Sequence, residues 1–125
     1  MIKTRIYGYS LHINLTECLH NEIFFNSGSR GKILLKIFIE YILNLIDMKP
    51  VFEPLVEYYG DFEENEGYSY VQLINTSNIT IHTVSSTRDV YIDLFSCREF
   101  DKDKIVSYSK FYFEPKTIDY DYLYR

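Results

Sequence analysis

One stretch of this chain fixes its own orientation in a fold. In Asp89–Ser96, Val90, Ile92 and Leu94 fall on one side, while Tyr91, Asp93 and Phe95 fall on the other. That period of two marks a strand covered on one face only. Val51–Tyr59, Tyr68–Asn75 and Asn78–Val84 also read as strands, with an acidic turn over Gly60–Gly67. Lys32–Met48 carries Ile33, Ile37, Ile42 and Leu45 at helical spacing, and Pro50 is expected to stop that helix. Apolar residues cover much of its circumference, so it is expected to pack on a sheet and also to lie near a partner. Ile2–Asn14 reads as a first strand, Leu15–Arg30 is ambiguous with a turn at Asn26–Ser29, Asp101 caps a helix to about Phe113, and Ile118–Tyr124 alternates as a last strand. The order β-α-β-β-β-β-α-β implies an α+β, two-layer sandwich of ferredoxin-like type, a mostly antiparallel sheet with two helices on one face. The 125 residues form one domain, 1–125.

Composition narrows the function. A hydrophobic share of 46% with only 5 Gly and 3 Pro excludes disorder. The net charge of −5 excludes a nucleic-acid polymer as partner, because phosphate neutralisation needs clustered Lys and Arg. No apolar run is long enough to span a membrane, and the first residues lack the pattern of a signal peptide, so a cytoplasmic location is expected. Cys18 and Cys97 are then expected to be thiols. The sequence lacks phosphate-binding glycine loops and paired Cys-x-x-Cys or His-Glu-x-x-His motifs, so no metal is expected. Taken singly, His82 reads as an ordinary hydrogen-bonded histidine of a strand, Cys97 as a small buried hydrophobe and Ser77 as a turn residue.

Together these residues carry more. Gly67-Tyr-Ser69-Tyr runs on to Asn75-Thr-Ser77, then Thr80-Ile-His82-Thr and Asp93-Leu-Phe-Ser-Cys97. The pattern closely resembles the bacterial and archaeal S-adenosylmethionine (SAM) decarboxylase family, in both motifs and spacing, over nearly the whole chain. The resemblance implies that the backbone breaks at Thr76–Ser77 and that Ser77 becomes a pyruvoyl cofactor, an electron sink for decarboxylation in polyamine synthesis. It further implies that Ser69 and His82 assist processing and that Cys97 protonates the product carbanion. The sequence departs from the family at Thr76 and Asn78, usually Glu and His, at Val84-Ser85-Ser86, usually Trp-Pro-Glu, and at Arg98, usually Gly.

These departures leave alternatives open. One is a pyruvoyl-free lyase that splits SAM, or a conjugate such as SAM-AMP, into a methylthioadenosine product and homoserine lactone. The sulfonium is already a good leaving group, so holding a near-attack conformation suffices. Another is a catalytically inactive binding module that sequesters SAM or a nucleotide. Tyr58 or Phe62 are candidates to stack on the adenine and Glu57 to meet the ribose or the sulfonium; Tyr70, with Tyr59 and Tyr68, is a candidate to replace the missing tryptophan. A homo-oligomer is expected, since the family forms dimers and small SAM lyases of similar architecture form trimers. Tyr68–Tyr70 and Tyr120–Tyr124 are the expected contact strands.

Overall fold

A computed structural model describes residues 5–19, 22–24 and 29–125. The chain runs β1 (Tyr9–Thr16), a 3-10 turn (Glu22–Phe24), α1 (Arg30–Leu45), β2 (Pro50–Tyr59), a 3-10 turn (Glu63–Asn65), β3 (Gly67–Ile74), β4 (Ser77–Val84), β5 (Asp89–Ser96), α2 (Lys102–Phe113) and β6 (Thr117–Tyr124). Among the described residues the strands form one six-stranded sheet in the order β2-β3-β4-β5-β1-β6, antiparallel at every pairing. Strands β2 to β5 follow one another as neighbours, and β1 then inserts between β5 and the last strand.

Alternation decides which face is covered. Leu11, Ile13 and Leu15 of β1, Ile79 and Ile81 of β4, and Val90, Ile92 and Leu94 of β5 are buried on one side of the sheet. Both helices lie on that side. Helix α1 turns Leu35, Phe38, Ile39, Ile42 and Leu43 inward, at spacings of three and four that keep one stripe against the sheet. Helix α2 starts at Asp101, whose carboxylate accepts the N–H groups of Asp103 (3.0 Å) and Lys104 (3.3 Å), and buries Ile105, Ser109 and Phe113. The helices meet through aromatic rings. Phe38 lies 4.7 Å from Phe113 and 5.2 Å from Tyr112, and the Tyr112 hydroxyl donates to the Leu34 carbonyl at 2.6 Å. On the outer side of α1, Ile33, Ile37 and Tyr41 stay about half exposed.

Three expectations change. The first strand begins at Tyr9 rather than Ile2; residues 1–4 lie outside the described chain, as do His20 and most of the Asn26–Ser29 turn. Helix α1 ends at Leu45, before Met48 and Pro50. Asp47 takes a left-handed φ of 54°, its N–H reaches Asn44 O (3.3 Å), and Met48 N–H reaches Leu43 O (2.9 Å), a complete left-handed helix stop without glycine. Pro50 instead opens β2.

The third change concerns tyrosines. Tyr68 and Tyr70 are buried on the helix side of β3, not exposed as contact residues, whereas Tyr120 and Tyr124 of β6 are exposed. Gly31 explains part of this, because the Tyr68 ring lies where a side chain of residue 31 would be, 2.4 Å from the position of its Cβ. The start of β3 is tighter still, since a Cβ on Gly67 would fall 1.6 Å from the Thr83 carbonyl oxygen.

Candidate active site

The turn between β3 and β4 consists of Asn75 and Thr76 alone, with Ile74 and Ser77 paired across it. Thr76 has a φ of 64°, a β-branched residue in a region that favours glycine or asparagine. Ser77 then faces Ser96 in register on the helix side of the sheet. Its Oγ donates to Ser96 Oγ at 2.7 Å and lies 3.8 Å from Met48 Sδ; Ser77 is 8% exposed and Ser96 fully buried. Ser96 Oγ also accepts the backbone N–H of Arg98 at 2.9 Å. The Thr76 carbonyl accepts the backbone N–H of Cys97 at 3.1 Å.

Arg98 ties this corner to the first helix. Its Nη2 donates to Ile46 O (3.1 Å) and Asp47 O (2.5 Å), where a cation also suits the negative end of α1. Asn75 N–H reaches Lys49 O at 3.3 Å. The junction frames a recess of about 450 Å³ lined by Asp47, Met48, Lys49, Asn75, Thr76 and Arg98. Cys97, next to Arg98 in sequence, is exposed, not buried as its strand-end position suggested. The other cysteine, Cys18, is buried, and burial pushes its thiol up to about 12.

A second group lies elsewhere. Ser69 of β3 and His82 of β4 are partners in register, with Ser69 Oγ 3.1 Å from His82 Nδ1. They stand on the open face of the sheet, because along β4 Ser77, Ile79 and Ile81 point toward the helices while Asn78 and His82 point away. Five residues of strand separate Ser77 from His82, about 16 Å. The register continues the second group as a polar row: Glu57 opposite Ser69, Tyr91 opposite His82, Asn14 opposite Tyr91 and Asp119 opposite Asn14. One chain thus ties the backbone of Cys97 to the turn before Ser77 and pairs Ser69 with His82, but holds these two groups apart.

The other candidates scatter. Glu57 is exposed on edge strand β2, 3.6 Å from Lys32 Nζ. Tyr58 is half-buried, packs edge-on against Tyr68 at 4.9 Å, and hydrogen-bonds Ser85 Oγ at 3.0 Å. Phe62 is largely exposed in the loop beyond β2. Tyr70 is fully buried beneath α1, its hydroxyl pushed well above the usual range by burial and then by the carboxylates of Glu40 and Glu53, so it offers no surface to a ligand in the single chain. Among the described residues no group of three or more His, Cys, Asp or Glu side chains could share a metal ion. Sequence reading gave Ser96 no role and noted Arg98 only as a departure from the family's usual glycine. The only signal was their place on either side of Cys97, since the contacts that matter come from the turn and helix brought beside them.

The comparisons with known proteins agree on a family. A model of S-adenosylmethionine decarboxylase matches residues 30–125. An S-adenosylmethionine decarboxylase proenzyme of Aeropyrum pernix is 27% identical over 93 residues, 74% of this chain; the match spans 63% of that relative's length. The crystal structure of the adenosylmethionine decarboxylase from Aquifex aeolicus superposes with a TM-score of 0.74 at 17% identity, over 98% of this chain and 92% of that one. That likeness is one of fold. With most of its length matched by the family's own model, this chain belongs to the S-adenosylmethionine decarboxylase family.

Proposed function

We propose that the chain is a SAM decarboxylase that makes a pyruvoyl group from Ser77 by breaking its own backbone at Thr76–Ser77. The observation that carries the reading is the setting of that peptide bond. The Ser77 hydroxyl is hydrogen-bonded beside it, the Thr76 carbonyl is polarised by the Cys97 N–H, and Thr76 is held in a left-handed turn. These residues fit the group, since the serine that would become it is already at the head of a strand whose loose end cleavage would free. When present, the group supplies a carbonyl that takes up the substrate amine and draws off the electrons released as carbon dioxide leaves.

The chain's own residues do the rest. Cys97, exposed at the same corner, delivers the proton to the carbon that has lost the carboxylate. Ser69 engages Nδ1 of His82 and leaves Nε2 as the nitrogen that moves protons. Because His82 is about 16 Å from Ser77 in its own chain, this pair serves the Ser77 of a second copy, and the working site is built by two copies packed through their open sheet faces. The apolar residues there support that packing: Leu73 is 54% exposed, Leu123 49% and Tyr91 40%.

The test is release of labelled carbon dioxide from carboxyl-labelled SAM. Decarboxylation supports the reading. Methylthioadenosine without carbon dioxide would assign a lyase instead, and the absence of either product would overturn both.

A further inference from the structure

We infer that Ser96 is the acceptor that prepares the Ser77 hydroxyl for backbone cleavage, with Arg98 as its anchor; this rests on the reading of Ser77 given above. A serine hydroxyl has two lone pairs and one proton. Both lone pairs of Ser96 are engaged, one by the Arg98 N–H at 2.9 Å and one by Ser77 Oγ at 2.7 Å. The Ser77–Ser96 bond runs from Ser77 to Ser96. Ser77 is the donor, its own lone pairs are left for the Thr76 carbonyl carbon, and Ser96 stands where the departing proton must go.

The surroundings hold this direction. Ser96 is fully buried, so water does not compete for its oxygen. The Arg98 backbone cannot swing away, because its guanidinium is bonded to the carbonyls of Ile46 and Asp47 at the end of α1. The neighbouring residue, Cys97, gives its N–H to the Thr76 oxygen on which negative charge develops. Three consecutive residues, Ser96, Cys97 and Arg98, thus supply the proton acceptor, the oxyanion donor and the clamp.

The step is an acyl shift from nitrogen to oxygen. The bond between Ser77 Oγ and the Thr76 carbonyl carbon forms, and the bond from that carbon to the Ser77 nitrogen breaks. The proton that leaves Oγ passes to Ser96 Oγ as Ser96 gives its own hydroxyl proton to the departing Ser77 nitrogen, so Ser96 relays one proton and ends the step unchanged. The shift oxidises and reduces nothing and consumes no co-reactant; the chain separates when the ester is lost by elimination of the Thr76 carboxylate, and water then releases the nitrogen of residue 77 as ammonia.

The decisive comparison is between Ser96→Thr and Ser96→Val, nearly equal in shape and different in the hydroxyl. Full-length chains made by cell-free synthesis are followed by intact mass for conversion to fragments 1–76 and 77–125, with thermal unfolding as a check on folding. Ser96→Thr is expected to cut at close to the wild-type rate, and Ser96→Val and Ser96→Ala at least about tenfold more slowly, the loss of one differential hydrogen bond. The slow variants are also expected to gain rate with pH more steeply than wild type, because solvent base must replace Ser96. If the Thr and Val variants cut alike, the role of Ser96 is overturned while the reading of Ser77 stands. If the wild-type chain never cuts, both are overturned.

Discussion

Ser69 and His82 face each other across β3 and β4, Oγ to Nδ1 at 3.1 Å, on the side of the sheet away from the helices. Ser77 begins the same strand as His82 and turns the other way. A strand cannot bend its first residue onto its sixth, so on the function proposed above the two halves of the chemistry come from different copies.

Co-expression of two inactive chains tests this. On the proposed function Ser77→Ala removes the cofactor precursor and His82→Ala the imidazole, so each is expected to be inactive alone. Together they form mixed pairs in which one site is intact. About a quarter of wild-type activity is expected, since half the pairs are mixed and each has one of its two sites whole. Only the His82→Ala chain should then be cut. Mixtures as inactive as the single variants would contradict a shared site.

The two cysteines should differ in reactivity. Cys97 is exposed, whereas Cys18 is buried with its thiol pushed up to about 12. Iodoacetamide is expected to modify Cys97 alone in the folded protein, as read by peptide mass. Cys97→Ala should lower decarboxylation by about 10²- to 10⁴-fold, the usual range for a lost proton donor. Chain cleavage should survive that change, because it is the backbone N–H of residue 97 that meets Thr76.

Alkaline pH should unfold the protein early. Burial raises Cys18 from 9.0 to about 12, and Tyr112 and Tyr122 from 10.0 to about 12. Each group stays neutral in the folded chain at pH values where the unfolded chain ionises. Their stabilising effect is whole below pH 9 and is lost as pH climbs toward 12. Denaturant midpoints should hold steady up to pH 9 and then fall, most steeply above pH 10. A flat profile to pH 12 would contradict these burials.

Gly67→Ala is expected to destabilise the fold by about 3 kcal/mol, the upper end of the overpacking range. The added methyl meets a backbone carbonyl, that of Thr83, which has no rotamer by which to escape. Since β3 starts at this point, the Ser69–His82 pair two residues on should shift as well. Thermal unfolding checks the first effect and chain cleavage the second.

Much of the architecture was legible from periodicity. The alternation in Asp89–Ser96 gave the strand, its covered face and its bounds, because a sheet covered on one side leaves that pattern undisturbed. Asp101 announced α2, because a cap is a local interaction. The end of α1 was not legible: the left-handed stop is made by Asp47, with no glycine to flag it. Tyr68 and Tyr70 were assigned to the wrong face, since large aromatic rings suit either and the room made by Gly31 lies more than thirty residues away in sequence. At the site, Ser77, Cys97, Ser69 and His82 stood out only through the family motif they resemble, since each alone reads as an ordinary structural residue. Their division into two pairs required the register of β3 to β5, and Ser96 and Arg98 gained meaning only from the loops packed beside them.

The most direct measurement is the intact mass of the purified wild-type chain. The account predicts two pieces divided at Thr76–Ser77, the second beginning with a carbonyl group that borohydride reduces. A single uncut species of 15.0 kDa in a sample that decarboxylates SAM would contradict it.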